Sequence, residues 1–207
     1  QWSSSAASDV YKRQIKYQVI LPDASKLDFT LRKNQKNLIF NALAIITCFY
    51  MLGLNLKLIN QFKNVPFTEG RGEILKSKYK GNKLELHDHS YNASPVSMRD
   101  TIDIFNKFKN KHLVYVIGDM NELGNKSKKF HIDLIKYLIL IKAKKVIFVG
   151  SKLYSLRKRY KRLQFEYYEN IDSVISNAEK IFNRNSKVFL KGSNSINLRK
   201  LSNHLIS

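Results

Sequence analysis

Glycine, proline and cysteine are all scarce in this chain of 207 residues, which contains eight, three and one of them respectively. A single cysteine cannot form an intrachain disulfide, so a disulfide-stapled secreted domain is excluded and a reducing compartment is the default. None of the eight glycines is followed by lysine, which excludes a phosphate-binding loop of the form G-x-x-x-x-G-K-[ST] from these residues.

Acidic residues are also few, with 16 aspartates and glutamates against 37 lysines and arginines, and the formal net charge is +21. So large an excess favours polyanionic partners, which include nucleic acid, membrane surfaces and phosphorylated small molecules. Lysine contributes most of this positive charge, and isoleucine and asparagine are also abundant. An AT-rich genome produces the same bias even where the charge has no function. Hydrophobic residues make up 43% of the chain, enough for one ordinary core, or for one domain and part of another.

The longest apolar stretch covers residues 38–56, close to the roughly 20 residues that a membrane-spanning helix needs. Polar residues and a glycine interrupt it at Asn41, Thr47, Gly53 and Asn55. The last two breaks leave about 15 helical residues, a length that favours a buried helix over a membrane-spanning one. Cys48 lies within this stretch, and we expect its thiol to pack there as a small hydrophobic group.

The chain divides into three parts on composition. Residues 1–14 begin with Gln1 and a serine-rich stretch typical of translated vector or adapter sequence, and we interpret them as a non-native leader. One proline and two glycines between residues 66 and 72 indicate a domain boundary. We therefore predict one domain, or part of one, at residues 15–70 and another at residues 71–207.

Hydrophobic periodicity predicts strands and helices in both domains, and in the second domain short strands alternate with helices. Strands are predicted at residues 17–21, 27–31, 74–79, 83–87, 113–117, 145–149, 165–168 and 187–190. Helices are predicted at residues 38–52, 55–62, 96–108, 126–141, 152–159, 171–182 and 195–205. This alternation indicates an α/β fold with a mostly parallel sheet that helices cover on both faces.

A polar loop links a predicted strand to a predicted helix between Leu86 and Met98. Ser94 suits the N-cap of that helix and Pro95 its first position. The arrangement presents free backbone N–H groups and the positive end of a helix dipole, which together attract phosphate. An ordinary strand-to-helix turn has the same pattern, so the spacing alone leaves both interpretations open.

The amino-acid sequences of three loops are more specific than the strand-to-helix pattern. Residues 90–98 read S-Y-N-A-S-P-V-S-M, and residues 116–124 read V-I-G-D-M-N-E-L-G with His131 following. They resemble the D-S-Y-N-A-N-P-x-S-M and V-L-G-D-M-x-E-L-G motifs of the Mur ligases, ATP-dependent amide ligases of peptidoglycan synthesis. Residues 191–193, K-G-S, match the end of that family's last strand. The motifs are most similar to those of the member that adds D-alanyl-D-alanine.

Two upstream segments extend the resemblance, N-A-L-A at residues 41–44 and G-R-G at residues 70–72, the latter similar to the family's interdomain link. The chain also departs from the family. His89 stands where relatives have an acidic residue and Ser94 where they have asparagine, so contacts of those family side chains cannot be assumed here. Further departures stand at Asn37, Asn194, Ser195 and Asn197.

The resemblance implies a Rossmann-like, mostly parallel α/β C-terminal domain, preceded by the end of a truncated α/β ATPase domain. It implies ATP and Mg²⁺ as cofactors and an acyl phosphate as intermediate. The substrates implied are UDP-N-acetylmuramoyl-tripeptide and D-alanyl-D-alanine, in the cytoplasm, in an enzyme that is a monomer when complete. The missing phosphate-binding loop and most magnesium ligands are expected upstream, so no catalytic residue is assigned and the chain alone is expected to be inactive.

Residue roles follow from the same resemblance. Residues expected to bind the nucleotide are Asn41, Arg71, Ser90, Tyr91 and Asn92. Residues expected to line or brace the side that faces the incoming dipeptide are Asp119, Glu122, His131, Lys191 and Ser193. For Asp119 and Glu122, a loop held together by its own carboxylates is an equally good interpretation.

Two alternatives remain open at this point. The nearer is another amide ligase of the Mur superfamily. The other is a basic nucleic-acid-binding α/β module, for which lysines should gather on one face, whereas here they are scattered through nearly every predicted element. The basic run from Arg157 to Arg162 is more typical of a solvated helix end than of a nucleic-acid site. No Cys/His cluster with metal-ligand spacing is present in the sequence.

Overall fold

The computed structural model describes residues 14–32, 38–64, 68–108, 112–161 and 165–207. The chain forms two compact units, residues 1–66 and 67–207. Residues 1–13 of the expected leader and Asn37 lie outside the described residues. Gln14, the last residue assigned to that leader, is the first residue of a strand.

The first unit contains a hairpin and two helices. Strands β1 (Gln14–Ile20) and β2 (Lys26–Arg32) pair antiparallel. They are followed by helix α1 (Ile39–Met51) and a 3₁₀ helix (Leu56–Asn64). All four elements lie where the sequence predicts them, although the last is 3₁₀ rather than α.

Helix α1 buries a narrow stripe. Ala42 and Ile46 lie one turn apart and pack with Phe29 and Leu31 of the hairpin. Cys48 is exposed, so the expectation that its thiol packs inside was wrong; it lies two residues past Ile46, about 200° around the helix. No helix within the described ranges is both long and apolar enough to cross a membrane.

The second unit is built on a six-stranded sheet. Its strands are β3 (Glu73–Tyr79), β4 (Asn82–His89), β5 (Leu113–Gly118), β6 (Lys145–Val149), β7 (Glu166–Tyr168) and β8 (Ser186–Lys191). Their order is β3-β4-β8-β5-β6-β7. The edge strand β3 is antiparallel to β4 and every other neighbouring pair is parallel. This confirms the predicted α/β fold with a mostly parallel sheet.

Helices cover both faces of this sheet because successive side chains of a strand point to opposite faces. The helices are α2 (Pro95–Asn106), α3 (Ser127–Leu140), α4 (Ser151–Ser155), α5 (Ile171–Ser176), α6 (Ala178–Ile181) and α7 (Arg199–Ile206). Tyr115 packs with residues of α2, α3 and α4 on one face. Its neighbour Val116 packs with residues of α5, α6 and α7 on the other.

Three helices differ from their predicted bounds. The helix predicted at residues 171–182 is broken at Asn177, whose amide side chain donates to the carbonyl of Ser173. The last helix begins at Arg199 because Asn197 adopts a left-handed conformation, with φ 56°, which asparagine tolerates better than most residues. Helix α4 ends at Ser155, and the basic residues after it form turns rather than helix.

Candidate functional site

Three loops meet where β4, β8 and β5 end, at one edge of the sheet. The ammonium of Lys191 donates to the backbone oxygen of Asn92 at 2.8 Å. The N–H of Ser193 donates to the backbone oxygen of Asp119 at 2.9 Å, and the Ser193 hydroxyl accepts from the N–H of Asn121 at 2.8 Å. A mostly parallel sheet predicts that loops after its strands meet in this way, because the carboxyl ends of parallel strands share one edge, and these contacts confirm it.

The loop after β4 is joined to the G-R-G segment, residues 70–72. The N–H of Tyr91 donates to the backbone oxygen of Gly70 at 3.0 Å. The guanidinium of Arg71 lies over the Tyr91 ring, 3.9 Å from its centroid, close enough for a cation–π interaction. A Cβ at Gly70 would lie 2.8 Å from the Ser90 hydroxyl, so this approach requires glycine.

The residues expected to face the nucleotide are thus partly brought together. Arg71 lies over Tyr91, Ser90 precedes Tyr91 and lies against Gly70, and Asn92 follows as an exposed residue. The Asn92 side-chain oxygen accepts the N–H of Ala93 at 2.7 Å. Asn41, the remaining member, lies exposed on α1 of the first unit.

The loop runs directly into α2 as the sequence predicts. The side chain of Ser94 accepts from the N–H of Ser97, whose hydroxyl in turn accepts from the N–H of Ser94. Pro95 occupies the first helical turn. This reciprocal pair is a capping box with serine in place of glutamate, and it fixes the direction in which α2 leaves the site.

Asp119 is buried and serves as the cap of a neighbouring helix. Its two carboxylate oxygens accept from the N–H groups of Lys152 and Leu153, each at 2.9 Å. Both N–H groups belong to the first turn of α4. The N-cap residue of that helix is Gly150, which has no side chain to accept them. The carboxylate therefore braces the loops after β5 and β6, in agreement with the structural interpretation of this residue.

His131 supports the same loop from α3 and is fully buried. Its Nδ1 donates to the backbone oxygen of Ser127 at 2.7 Å, and its Nε2 accepts from the N–H of Met120 at 3.0 Å. With one nitrogen donating and the other accepting, the ring is neutral, and burial lowers the His131 pKa. Its 3.8 Å approach to Asp119 is therefore not an ion pair.

Three residues to which the sequence assigned no role, Asn121, Lys152 and Ser195, complete this loop. Lys152 donates from its ammonium to the backbone oxygen of Met120 at 3.2 Å and to the side chain of Asn121 at 2.6 Å. The Asn121 amide donates to the Ser195 hydroxyl at 2.6 Å. Glu122 extends beyond these contacts, exposed and with φ 59°. Only the position of these residues in loops at the carboxyl ends of strands could have indicated them.

Lys191 is a buried cation with a basic neighbour. It is only 5% exposed, and burial lowers its pKa to about 8. Its register partner on β4 is His89, whose pKa is lowered to about 4 by burial and then by the charge of Lys191. No carboxylate among the described residues forms an ion pair with Lys191, so its charge is available to an anion.

A small cavity of about 200 Å³ lies between α2 and α3, beside the β5 loop. Its lining residues are Pro95, Val96, Met98, Arg99, Met120, Phe130, Asp133 and Leu134. It offers an apolar floor with one arginine and one aspartate in its walls. It borders the site at Pro95 and Met120.

A larger groove of about 630 Å³ lies away from this edge, where β4 and β8 begin. Its lining residues are Lys76, Ser77, Lys78, Lys83, Leu84, Glu85, His112, Asn185, Ser186 and Lys187. Four lysines, Lys76, Lys78, Lys83 and Lys187, are among them. The larger groove nevertheless contains none of the motif residues, so size does not identify the site.

Comparisons with known proteins agree with this geometry. The family described as Mur ligase, glutamate ligase domain matches residues 70–194. The chain is 24% identical over 179 residues to the UDP-N-acetylmuramoyl-tripeptide–D-alanyl-D-alanine ligase of Rickettsia prowazekii, covering 84% of this chain and 38% of that protein. It is 29% identical over 171 residues to the ligase of the same name from Borreliella burgdorferi, covering 80% and 36%. The chain thus spans less than half of these curated relatives.

Solved structures share the fold. A crystal structure of MurF from Acinetobacter baumannii matches with a TM-score of 0.71 at 21% identity, covering 93% of this chain and 42% of that one. MurF from Thermotoga maritima in complex with ADP matches with a TM-score of 0.64 at 17% identity, covering 94% and 44%. The family match extends over more than half of the sequence and includes the three motifs at residues 90–98, 116–124 and 191–193. The chain belongs to the Mur ligase family.

Proposed function

We propose that this chain is part of an ATP-dependent amide ligase that joins D-alanyl-D-alanine to UDP-N-acetylmuramoyl-tripeptide during synthesis of peptidoglycan precursors. The curated relatives carry the name of that enzyme. The observation that carries the proposal is the meeting of the S-Y-N loop (residues 90–92), the β5 loop and Lys191 at one edge of the sheet. In parallel α/β sheets this edge is where ligands bind.

The proposed reaction has two steps. ATP phosphorylates the terminal carboxylate of the tripeptide, which gives an acyl phosphate and ADP. The amine of D-alanyl-D-alanine then attacks the acyl carbon, phosphate leaves, and an amide bond forms. Phosphoryl transfer of this kind depends on positioning and on charge stabilisation more than on covalent help from the protein. The residues of this chain would bind and orient the reactants.

On the nucleotide side, we propose that Arg71 and the S-Y-N loop face ATP. Arg71 contributes a permanent positive charge, and Tyr91 holds its guanidinium in place by stacking. Asn92 has an exposed amide next to that pair. Asn41 of the first unit would contact the adenine, as the family resemblance implies.

On the dipeptide side, the proposed residues divide into two groups. Lys191 would attract the dipeptide carboxylate, since it is a buried ammonium without an acidic partner among the described residues. Ser193 and the exposed Glu122 would lie beside it. Asp119 and His131 have their polar atoms engaged with backbone groups, and we propose that they act by holding the β5 loop in shape.

Magnesium enters this proposal through the family resemblance, which places most of its ligands upstream of these residues. We propose that the phosphate-binding loop, the magnesium ligands and the uridine nucleotide site belong to upstream domains, with residues 15–70 the end of the ATPase domain and 71–207 the C-terminal domain. The complete enzyme would be a cytoplasmic monomer that binds no nucleic acid and is not inserted in a membrane.

Binding of the dipeptide tests this proposal on the chain itself. We expect D-alanyl-D-alanine to bind in the millimolar range, more tightly than L-alanyl-L-alanine, in a calorimetric or NMR titration. Lys191→Met should weaken binding by at least about tenfold, because a hydrogen bond to a charged group contributes about 1.5–3 kcal/mol. Lys158→Met, a change at an exposed lysine far along the chain, is the matched control.

Two results would count against the proposal. One is equal affinity for the two stereoisomers, and the other is equal loss of affinity in both lysine variants. A second assay concerns turnover: the chain should release no phosphate from ATP with tripeptide nucleotide and dipeptide present, since it has no phosphate-binding loop. Turnover by the pure chain would show that the catalytic parts are assigned wrongly.

A further inference from the structure

Arg199, the first residue of α7, bridges two carboxylates beneath the site. Its guanidinium donates to Asp88 Oδ2 at 2.9 Å and also to Glu73 Oε1. Asp88 is fully buried, and the Ser202 hydroxyl donates to the same Oδ2 at 2.5 Å. Because an unpaired buried charge is strongly destabilising, Asp88 depends on these donors.

The same two acidic residues hold both ends of the G-R-G segment. Glu73 Oε1 accepts from the N–H of Gly70 at 3.0 Å. The backbone oxygen of Asp88 accepts from the N–H of Gly72 at 2.7 Å. Arg199 is therefore one hydrogen bond removed from each end of the segment that carries Arg71.

Asp88 also reaches the S-Y-N loop. Its Oδ1 accepts from the N–H of Ser90 at 2.9 Å, and the next N–H, that of Tyr91, donates to Gly70. The G-R-G segment and the S-Y-N loop thus share Asp88 as an anchor, the segment through its backbone oxygen and the loop through its buried carboxylate. A displacement of Asp88 would therefore move both together.

We propose that Arg199 is a positioning residue for the nucleotide-facing surface. By fixing Glu73 and Asp88, it sets the geometry in which Arg71 is presented over Tyr91. The inference rests on the proposed function, because it assigns that pair to nucleotide binding. Arg199 itself lies at the start of α7. It is linked to the Arg71–Tyr91 pair through Glu73 and Asp88.

The Nε atom of Arg199 gives a second link between this residue and the G-R-G segment. This Nε is buried without a hydrogen-bond partner among the described residues. A carboxylate oxygen of Glu69 lies 3.7 Å from this Nε, on a side chain that is 77% exposed. A movement of less than about 1 Å would bring that pair within hydrogen-bond distance. Glu69 precedes the G-R-G segment directly, so a shift of the segment would complete the bonding of Arg199.

A purely structural ion pair makes a different prediction from a positioning residue. If Arg199 only stabilises α7, its replacement lowers the free energy of unfolding and leaves the Arg71 side chain where it is. If it positions the segment, the Arg71 side chain moves while the domain remains folded. Both carboxylates are reached by one nitrogen, Nη1. Lysine keeps the charge but has a differently shaped end group without the other guanidinium nitrogens, so Arg199→Lys should lie between the wild type and Arg199→Gln.

The test is NMR on the full chain, with Arg199→Gln, Arg199→Lys and the control Lys200→Gln, which removes the neighbouring surface pair with Asp172. The readout is the ring-current shift of the Arg71 side chain over Tyr91, followed by a titration with ADP. We expect the ring-current shift to be lost in Arg199→Gln and ADP affinity to fall about tenfold, as when a charge-assisted contact is lost. Lys200→Gln should leave both unchanged.

An unchanged Arg71 shift in a folded Arg199→Gln chain would overturn the proposal, whatever happens to its stability. If Arg199→Gln does not fold, Glu73→Gln gives the same readout with most of the network in place. The Arg71 shift needs no ligand, so it decides the positioning role even if the wild type fails to bind ADP. That failure alone would count against the proposed function.

Discussion

The carboxylate of Asp119 occupies the space that a side chain at position 150 would need. A Cβ on Gly150 would lie 2.5 Å from the Asp119 carboxyl carbon, nearer than unbonded atoms approach. Gly150 also has φ 119° and ψ 154°, a region that is essentially restricted to glycine. The loops after β5 and β6 are therefore fitted to each other, and the shape of the proposed dipeptide side depends on that fit.

Gly150→Ala should destabilise the second unit and displace Asp119 from the first turn of α4. Backbone strain alone accounts for about 1–3 kcal/mol, and the clash adds to it. Gly81→Ala is a matched control, because Gly81 has φ 85° with no atom within 4 Å of its Cβ position. Urea unfolding should show a clearly larger loss for position 150; equal losses would show that the Asp119 contact is unimportant.

Acid should destabilise the protein through His89. Burial lowers its pKa to about 4, so between pH 6.5 and 4 the unfolded chain takes up a proton that the folded chain does not. The free energy of unfolding should therefore fall by about 3 kcal/mol over that range from this residue. His89→Gln should flatten the profile measured by urea unfolding at several pH values. Identical profiles for the two proteins would contradict this account.

The sequence was sufficient to predict which loops meet. Asp119 and Ser193 follow strands that periodicity identifies, and the carboxyl ends of parallel strands share one edge of a sheet. Ser94 and Pro95 likewise mark the start of α2 because capping depends on local residues. The start of the helix has its cause within a few residues, and the meeting of the loops follows from the alternation of strands and helices.

The roles of individual polar groups were less predictable. A carboxylate that caps a helix and one that faces a ligand look alike in a sequence, and Asp119 caps a helix more than 30 residues away. Arg199 and Asp88 are separated by 111 residues, so nothing local indicates their pairing. Cys48 was placed wrongly because an apolar run does not show how narrow the buried stripe of its helix is.

Two lysines lie opposite each other on neighbouring strands, and the repulsion between their charges should be measurable. Lys78 and Lys83 are antiparallel partners on β3 and β4. Lys83→Glu should raise the free energy of unfolding by about 0.2–1 kcal/mol, and added salt should reduce the gain. Lys158→Glu changes the net charge equally without an opposing strand and should give no such gain. A loss of stability in Lys83→Glu would contradict this expectation.

Binding of the dipeptide carboxylate should weaken in alkaline solution. The pKa of Lys191 is lowered to about 8 by burial, and only the protonated amine attracts an anion. Affinity for N-acetyl-D-alanyl-D-alanine, which lacks a titrating amine of its own, should fall about tenfold per pH unit well above pH 8. Lys191→Met should bind weakly at every pH. A flat profile in the wild type would remove Lys191 from the proposed site.

The central claim is that Arg71 and the S-Y-N loop face the nucleotide, and an NMR titration of the ¹⁵N-labelled chain with ADP tests it most directly. We expect the largest shifts at the backbone amides of residues 70–72 and 90–93, with the Arg71 side chain moving in parallel. Residues of the larger groove where β4 and β8 begin, such as Lys78 and Lys83, should shift little and only at low salt. Shifts confined to that groove, or none at millimolar ADP, would contradict the assignment of the nucleotide-facing surface.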